Sequence, residues 1–145
     1  MTGPLNLRRQ GLLAALGTLP SRWYEYGIIE YVYATEAERD DFSRMVFQLG
    51  HKHLGASGPQ GDPTASKMLS SHAWSHLPDT QVLHQSSDAS GEWKAWDNSI
   101  SFWAIPPAPS WEERLSWADW IAGNGHDMSY VTSAFQRGYD LVHGY

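Results

Sequence analysis

Histidine is the residue type in this chain best suited to chemistry near neutral pH, and three of the seven histidines lie in one stretch, SSHAWSHLPDTQVLHQ, residues 70–85. His72 and His76 stand at i and i+4, a spacing that places both imidazoles on one face of a helix. Two such rings suit zinc or another divalent metal, with a third ligand supplied from elsewhere. Ala65, Leu69 and Ala73 form the apolar stripe of the same segment. Both rings are therefore expected to face the interior or a cleft in it.

A second pair, His51 and His53, precedes this stretch. A helix continued through Leu54 extends the Phe42, Met45, Val46 and Leu49 stripe to His53. It turns His51 to the opposite face, since residues two apart point about 200° apart. The candidate metal set is thus His53, His72 and His76, with His84, Asp62 or Asp79 as the fourth ligand. No HExxH glutamate accompanies them. The sequence favours packed, neutral histidines, each bonded to a carbonyl or hydroxyl, and no cofactor is expected. In a metal-free catalytic cleft, His72 and His76 would move protons and Glu25 or Glu30 would orient them. Covalent acyl chemistry has no support, because the chain has neither a cysteine nor a G-x-S-x-G turn. The glycines of GASGPQGDP are followed by no Gly-Lys-Ser/Thr, so they make no phosphate loop.

Eight tryptophans in 145 residues raise the question of core or binding surface. In the helix expected after Ser110, Trp111, Leu115, Ala118 and Ala122 share one face. Trp117 and Trp120 fall on the other, beside Arg114, where an amphipathic helix should be polar. Trp93 and Trp96 differ in strand parity, which leaves one of them facing outward or against another layer. Trp96, Trp117, Trp120 and Arg114 are the candidate binding residues, since aromatic and arginine side chains dominate binding hot spots.

The elements that must position these groups are readable in outline. LRRQGLLAALGTLP is read as an amphipathic helix with Leu12, Leu16 and Leu19 inward, and not as a leader peptide. WYEYGIIEYVY, residues 23–33, is apolar on both alternating faces and is expected as a doubly covered strand. Thr35 and Glu38 predict a capping box for the next helix, and Ser110 and Glu113 predict another for residues 111–122. EWKAWDNSISFWAI is expected as a β-hairpin turning at Asp97 and Asn98. The last helix is expected to bury Val131, Ala134, Phe135, Gly138 and Val142.

These elements predict a single compact α+β domain over residues 1–145, with about five helices packed on a small antiparallel sheet containing one β-hairpin. The formal charge of −6, with only ten Lys and Arg, disfavours nucleic acid as a partner. No stretch approaches the roughly 20 apolar residues of a membrane span, so a soluble, cytoplasmic protein is expected. The primary expectation is an acidic, tryptophan-rich binding module: an inhibitor, immunity, adaptor or assembly subunit that takes a protein partner or small ligand. The alternative is a small enzyme with a His53/His72/His76 cleft, metal-dependent or not, acting on a polar small molecule.

Overall fold

The apolar run at residues 23–33 begins as a strand and then becomes a helix. In the computed structural model, which describes residues 4–54, 56–57, 64–73, 81–95, 98–125 and 127–144, strand β1 is only Tyr24–Glu25. Helix α2 follows directly at Tyr26–Val32 and continues as a π-helical turn over Tyr33–Ala37. The β-branched and aromatic composition pointed to a strand, but burial overrides propensity here. Six of the seven α2 residues are buried, so this is a central helix, apolar nearly all round. Gly27 permits the packing: a Cβ there would lie 2.7 Å from Cε2 of Trp93.

Around α2 lie α1 (Pro4–Gly17) and α3 (Arg39–Leu49), the short strands β2 (Gly50–His51) and β3 (Ala56–Ser57), and α4 (Ala65–Lys67). α4 runs on as a π-helical segment over Met68–Ala73. Then come β4 (Leu83–Asp88), α5 (Gly91–Lys94), β5 (Ser99–Ala104), α6 (Trp117–Asn124) and α7 (Ser129–His143). The larger sheet is antiparallel in the order β1-β5-β4, and β2 pairs with β3 in a second, two-stranded sheet. This is a compact α+β fold of seven helices among the described residues.

The hairpin exists, but with a different first strand. Leu83 pairs with Ala104 and Asp88 with Ser99, so β4 is the partner of β5. Residues 92–94, the start of the expected first strand, instead lie in α5 in the connection. That helical turn sends Trp93 into the core, where it packs edge-on against Tyr26 at 5.5 Å.

Neither expected capping box forms. Thr35 lies inside the π-helical turn, where its hydroxyl donates to the Tyr31 carbonyl. After Ser110 comes only a 3₁₀ turn, Trp111–Glu113, with no side-chain cap. α6 starts six residues later, and its first three amides are each met by a side chain. Trp117 N–H donates to Glu25 Oε1 at 3.0 Å, Ala118 N–H to Ser90 Oγ at 3.0 Å, and Asp119 N–H to Ser116 Oγ at 3.2 Å. These are the groups a helix start leaves without partners.

Tryptophan forms much of the core. Trp103 and Trp117 are fully buried, with Tyr33, Phe42, Ile28, Ile29 and Leu12. α3 and α7 pack so closely that a Cβ on Gly138 would meet the Ser43 carbonyl and lie 2.7 Å from Phe47 Cβ. Leu12, Leu16, Phe42, Met45, Val46, Val131 and Ala134 are buried as their helical spacing predicts. Phe135 and Val142 are the exceptions, at 41% and 43% exposure. α7 rests on α3 through the narrow face of Val131, Ala134 and Gly138, and those two side chains fall beyond it.

Candidate functional site

A carboxylate, Glu30, sits fully buried on α2 and collects four hydrogen bonds. Tyr26, one helical turn earlier, donates its hydroxyl to Oε1 at 2.8 Å, and Ser66 from α4 donates to the same oxygen. His51 Nε2–H donates to Oε2 at 2.9 Å, and Tyr130 of α7 also donates to Oε2. A carboxylate has about four lone-pair sites, so Glu30 is saturated. Burial opposes its ionisation. The His51 ring and the hydrogen bonds from His51, Ser66 and Tyr130 outweigh that, holding the carboxyl below its usual range. Burial, reinforced by the charge of Glu30, pushes the Tyr26 and Tyr130 phenols well up, so both remain donors.

Serine, histidine and glutamate in contact invite comparison with a nucleophilic triad, but the connectivity differs. In a triad the acid and the hydroxyl use opposite ring nitrogens. Here Ser66 Oγ lies 3.1 Å from the same Nε2 that Glu30 occupies. The other nitrogen, Nδ1, accepts the His53 N–H at 3.1 Å. That assigns the ring proton to Nε2, directed at Glu30, and directs the Ser66 proton to Glu30 as well. The network holds no free base. What it does is tie α2, β2, α4 and α7 to one buried charge.

Glu25 anchors a second such node. Its carboxylate accepts the Ser90 hydroxyl at 2.7 Å, the Ser90 N–H at 3.1 Å and the Trp117 N–H. Burial raises its carboxyl above the usual range, and those hydrogen bonds only partly offset it. This acid joins the starts of α5 and α6.

Two surface features flank α7 on either side of its buried face. On one side, a cleft of about 490 Å³ lies between the turn after α2, the start of α3 and the first turns of α7. Arg39 and Arg137 line it together with Asp127 and several hydroxyl groups. On the other side, Phe135, Tyr139 and Val142 are 38–43% exposed. Phe47 of α3 touches Phe135 and Tyr139 at ring distances of 5.4 and 5.6 Å, and His143 stacks on Tyr139 at 4.2 Å.

The candidate residues divide as follows. His51, expected to point away from the core, is 1% exposed, whereas His53 is exposed. The helix does not continue: α3 ends at Leu49 and Gly50 adopts φ 88°, which breaks the helical phase that placed His53 inward. His76, Asp62, Asp79 and the side chain of His72 lie outside the described residues, as does Trp96. His84 is exposed on β4 and stacked at 5.2 Å on Trp103. Glu30 does meet a histidine, and that histidine is His51. Trp117 and Trp120, expected on an outward face, are 0% and 9% exposed. α6 packs against α5, α2 and α7: Trp117 donates its indole N–H to Glu92 Oε1 at 2.8 Å, Trp120 packs 5.0 Å from Tyr31, and Trp117 lies 6.2 Å from Tyr130. Arg114 is exposed, its guanidinium 4.6 Å above the Trp111 ring. Ser66, Tyr26 and Tyr130 were not singled out by the sequence. The available signal was Glu30 itself, a lone acid amid GIIEYVY, since an acid buried by its neighbours must find donors.

Among the described residues, no group of three or more His, Asp or Glu side chains is arranged to hold a metal ion, and no helix is long and apolar enough to cross a membrane. No family model, no curated protein and no solved structure matches the chain.

Proposed function

We propose that the chain is a binding module that docks a protein partner along the outer face of α7. One observation carries the reading: three of the five exposed large hydrophobic side chains among the described residues, Phe135, Tyr139 and Val142, line one stripe of a single helix. Phe47 and His143 extend the stripe into a continuous aromatic surface. Contiguous apolar patches of this kind mark contact surfaces more often than scattered single residues do. Aromatic groups already held by their neighbours lose little side-chain freedom on binding, which favours them as anchors. The net charge of −6 suits a basic partner, by steering its approach. The tryptophan face gives way to α7 in this reading because Trp117 and Trp120 pack inside the domain. The buried histidine–glutamate network acts as scaffold, the module needs no cofactor, and its cysteine-free composition suits the cytoplasm.

The test is the double substitution Phe135→Ser with Val142→Ser. Both side chains are exposed, so the melting temperature should stay within about 4 °C of the parent. Affinity capture then compares the parent, this variant and a control altered outside α3 and α7, Glu112→Gln. A protein held by parent and control but released by the double variant supports docking on α7. Capture indifferent to the double variant ends the reading.

A further inference from the structure

The cleft on the opposite flank of α7 has a chemistry of its own, independent of the docking stripe. At about 490 Å³ it has the volume of a small-molecule site. Its two walls come from different elements: Arg39 and Ser43 from α3, and Ser129, Ser133 and Arg137 from α7. Two guanidiniums thus stand across one opening in a chain whose overall charge is −6.

The two arginines are differently committed. Arg137 directs Nε and Nη2 to Asp40 Oδ1, at 2.8 and 2.6 Å, which leaves Nη1 available. Arg39 is exposed, and no hydrogen bond or salt bridge among the described residues uses its guanidinium. A guanidinium offers five donors in a planar fork that matches phosphate oxygens two at a time. Asp40, the partner of Arg137, also feels the charges of Arg44 and Arg39.

The remaining lining explains what else the ligand must carry. Asp127 is the acidic lining residue, and its Oδ1 accepts the Ser129 N–H at 2.9 Å. An acid would repel a bare anion but accepts readily from ligand hydroxyls. Ser43 and Ser133 can both donate and accept, whereas Thr35, whose proton goes to the Tyr31 carbonyl, can accept. The Tyr31 ring, held between Trp120 at 5.0 Å and Tyr130 at 5.2 Å, supplies a flat wall for C–H groups. A purely apolar ligand would strand these groups.

From this arrangement we infer that the cleft binds a small phosphorylated polyol, with Arg39 and Arg137 on the phosphate and the hydroxyl groups and Asp127 on the polyol. Trp120 packs on Tyr31, so occupancy should change its share of the tryptophan fluorescence, and a Trp120→Phe variant identifies that share. The probes are glucose 6-phosphate and glycerol 3-phosphate, titrated by fluorescence and calorimetry at about 0.15 M salt. Inorganic phosphate and glucose serve as the two half-ligands. The expected result is saturable binding of a phosphorylated probe, weaker binding of phosphate and weaker still of glucose. Arg39→Ala should raise Kd about tenfold or more, since it removes a charged hydrogen bond from an exposed, fold-neutral position. Arg44→Ala, on α3 but outside the lining residues, should change it less than about twofold. Absence of saturation by either phosphorylated probe up to about 10 mM overturns the inference. So does binding equal to that of inorganic phosphate, or binding unchanged in Arg39→Ala. Neither result touches the docking stripe, which a separate double substitution tests.

Discussion

His51 Nε2 and Glu30 Oε2 lie 2.9 Å apart with both side chains essentially excluded from solvent. Buried acid–base contacts often contribute little net stability, but removing one partner strands the other. Here the acid also holds Tyr26, Ser66 and Tyr130, so its loss strands four donors at once.

Glu30→Gln tests this directly. The amide offers one oxygen and turns an NH₂ toward groups that need an acceptor, so stability should fall by about 3 kcal/mol at neutral pH. The loss should depend on pH. Because the folded carboxyl lies below its usual range, folding favours the ionised form. That contribution is complete above about pH 5 and is lost as the pH falls through the folded value. The gap between parent and variant should therefore be widest near neutrality and narrow in acid. Glu25 works in the opposite sense: its raised carboxyl makes the folded state hold a proton longer, so its contribution weakens as pH rises from about 4.3 through the raised value. Urea unfolding of the parent and of each glutamine variant across this range separates the two slopes.

The α3–α7 crossing predicts a second contrast, between two glycines. Gly138→Ala places a methyl against the Ser43 carbonyl and 2.7 Å from Phe47 Cβ. The obstructing atoms are backbone and a side-chain root, which cannot swing aside. The helices must separate, at about 3 kcal/mol. Gly17→Ala, at the end of α1, meets nothing within 4 Å. It should leave stability unchanged or raise it by about 0.5 kcal/mol through helix propensity. Thermal melts of the two variants check both signs.

Alanine at Trp117 and Trp120 together should unfold the domain. Trp117 lies 6.2 Å from Trp93 and from Tyr130, and 5.6 Å from Trp120, in one aromatic cluster. Each truncation removes about 3–5 kcal/mol, and the pair approaches the roughly 5–15 kcal/mol total of a typical domain. Loss of cooperative melting in circular dichroism is the expected result. A folded double variant would mean that the cluster tolerates collapse.

The pattern of legible and illegible features follows from what each signal measures. Helical spacing reports which face is buried, and it placed Leu12, Leu16, Phe42, Met45, Val46, Val131 and Ala134 correctly in the core. It cannot report how wide the buried face is, so it extends to Phe135 and Val142 a core that stops short of them. It also presumes an unbroken helix, and the turn at Gly50 exchanged the roles of His51 and His53. Residues 26–32 misled because strand and buried helix share the same apolar, β-branched vocabulary. Only tertiary contacts, Trp93 over Gly27 above all, decide between them. Glu30 was legible as a candidate acid, but its partners at Ser66 and Tyr130 lie 36 and 100 residues away.

The start of α6 offers the sharpest test of which serine matters. Ser110 and Glu113 carry the sequence signature of a capping box, yet the helix begins at Trp117 and Ser116 Oγ accepts the Asp119 N–H at 3.2 Å. Ser110 makes no side-chain cap, and the turn after it is three residues long. Ser116→Ala should therefore lower stability by about 1 kcal/mol, the usual loss when a capping oxygen is removed. Ser110→Ala should stay within about 0.5 kcal/mol of the parent, as exposed substitutions away from such bonds do. The loss at Ser116 should be partial, because Glu25 and Ser90 still hold the amides of Trp117 and Ala118. Adding Ser90→Ala should then cost more than the sum of the single losses, since one of the remaining caps disappears and Glu25 loses its hydroxyl donor. Chemical denaturation of the four variants measures this coupling, and strict additivity would show that the three caps act independently.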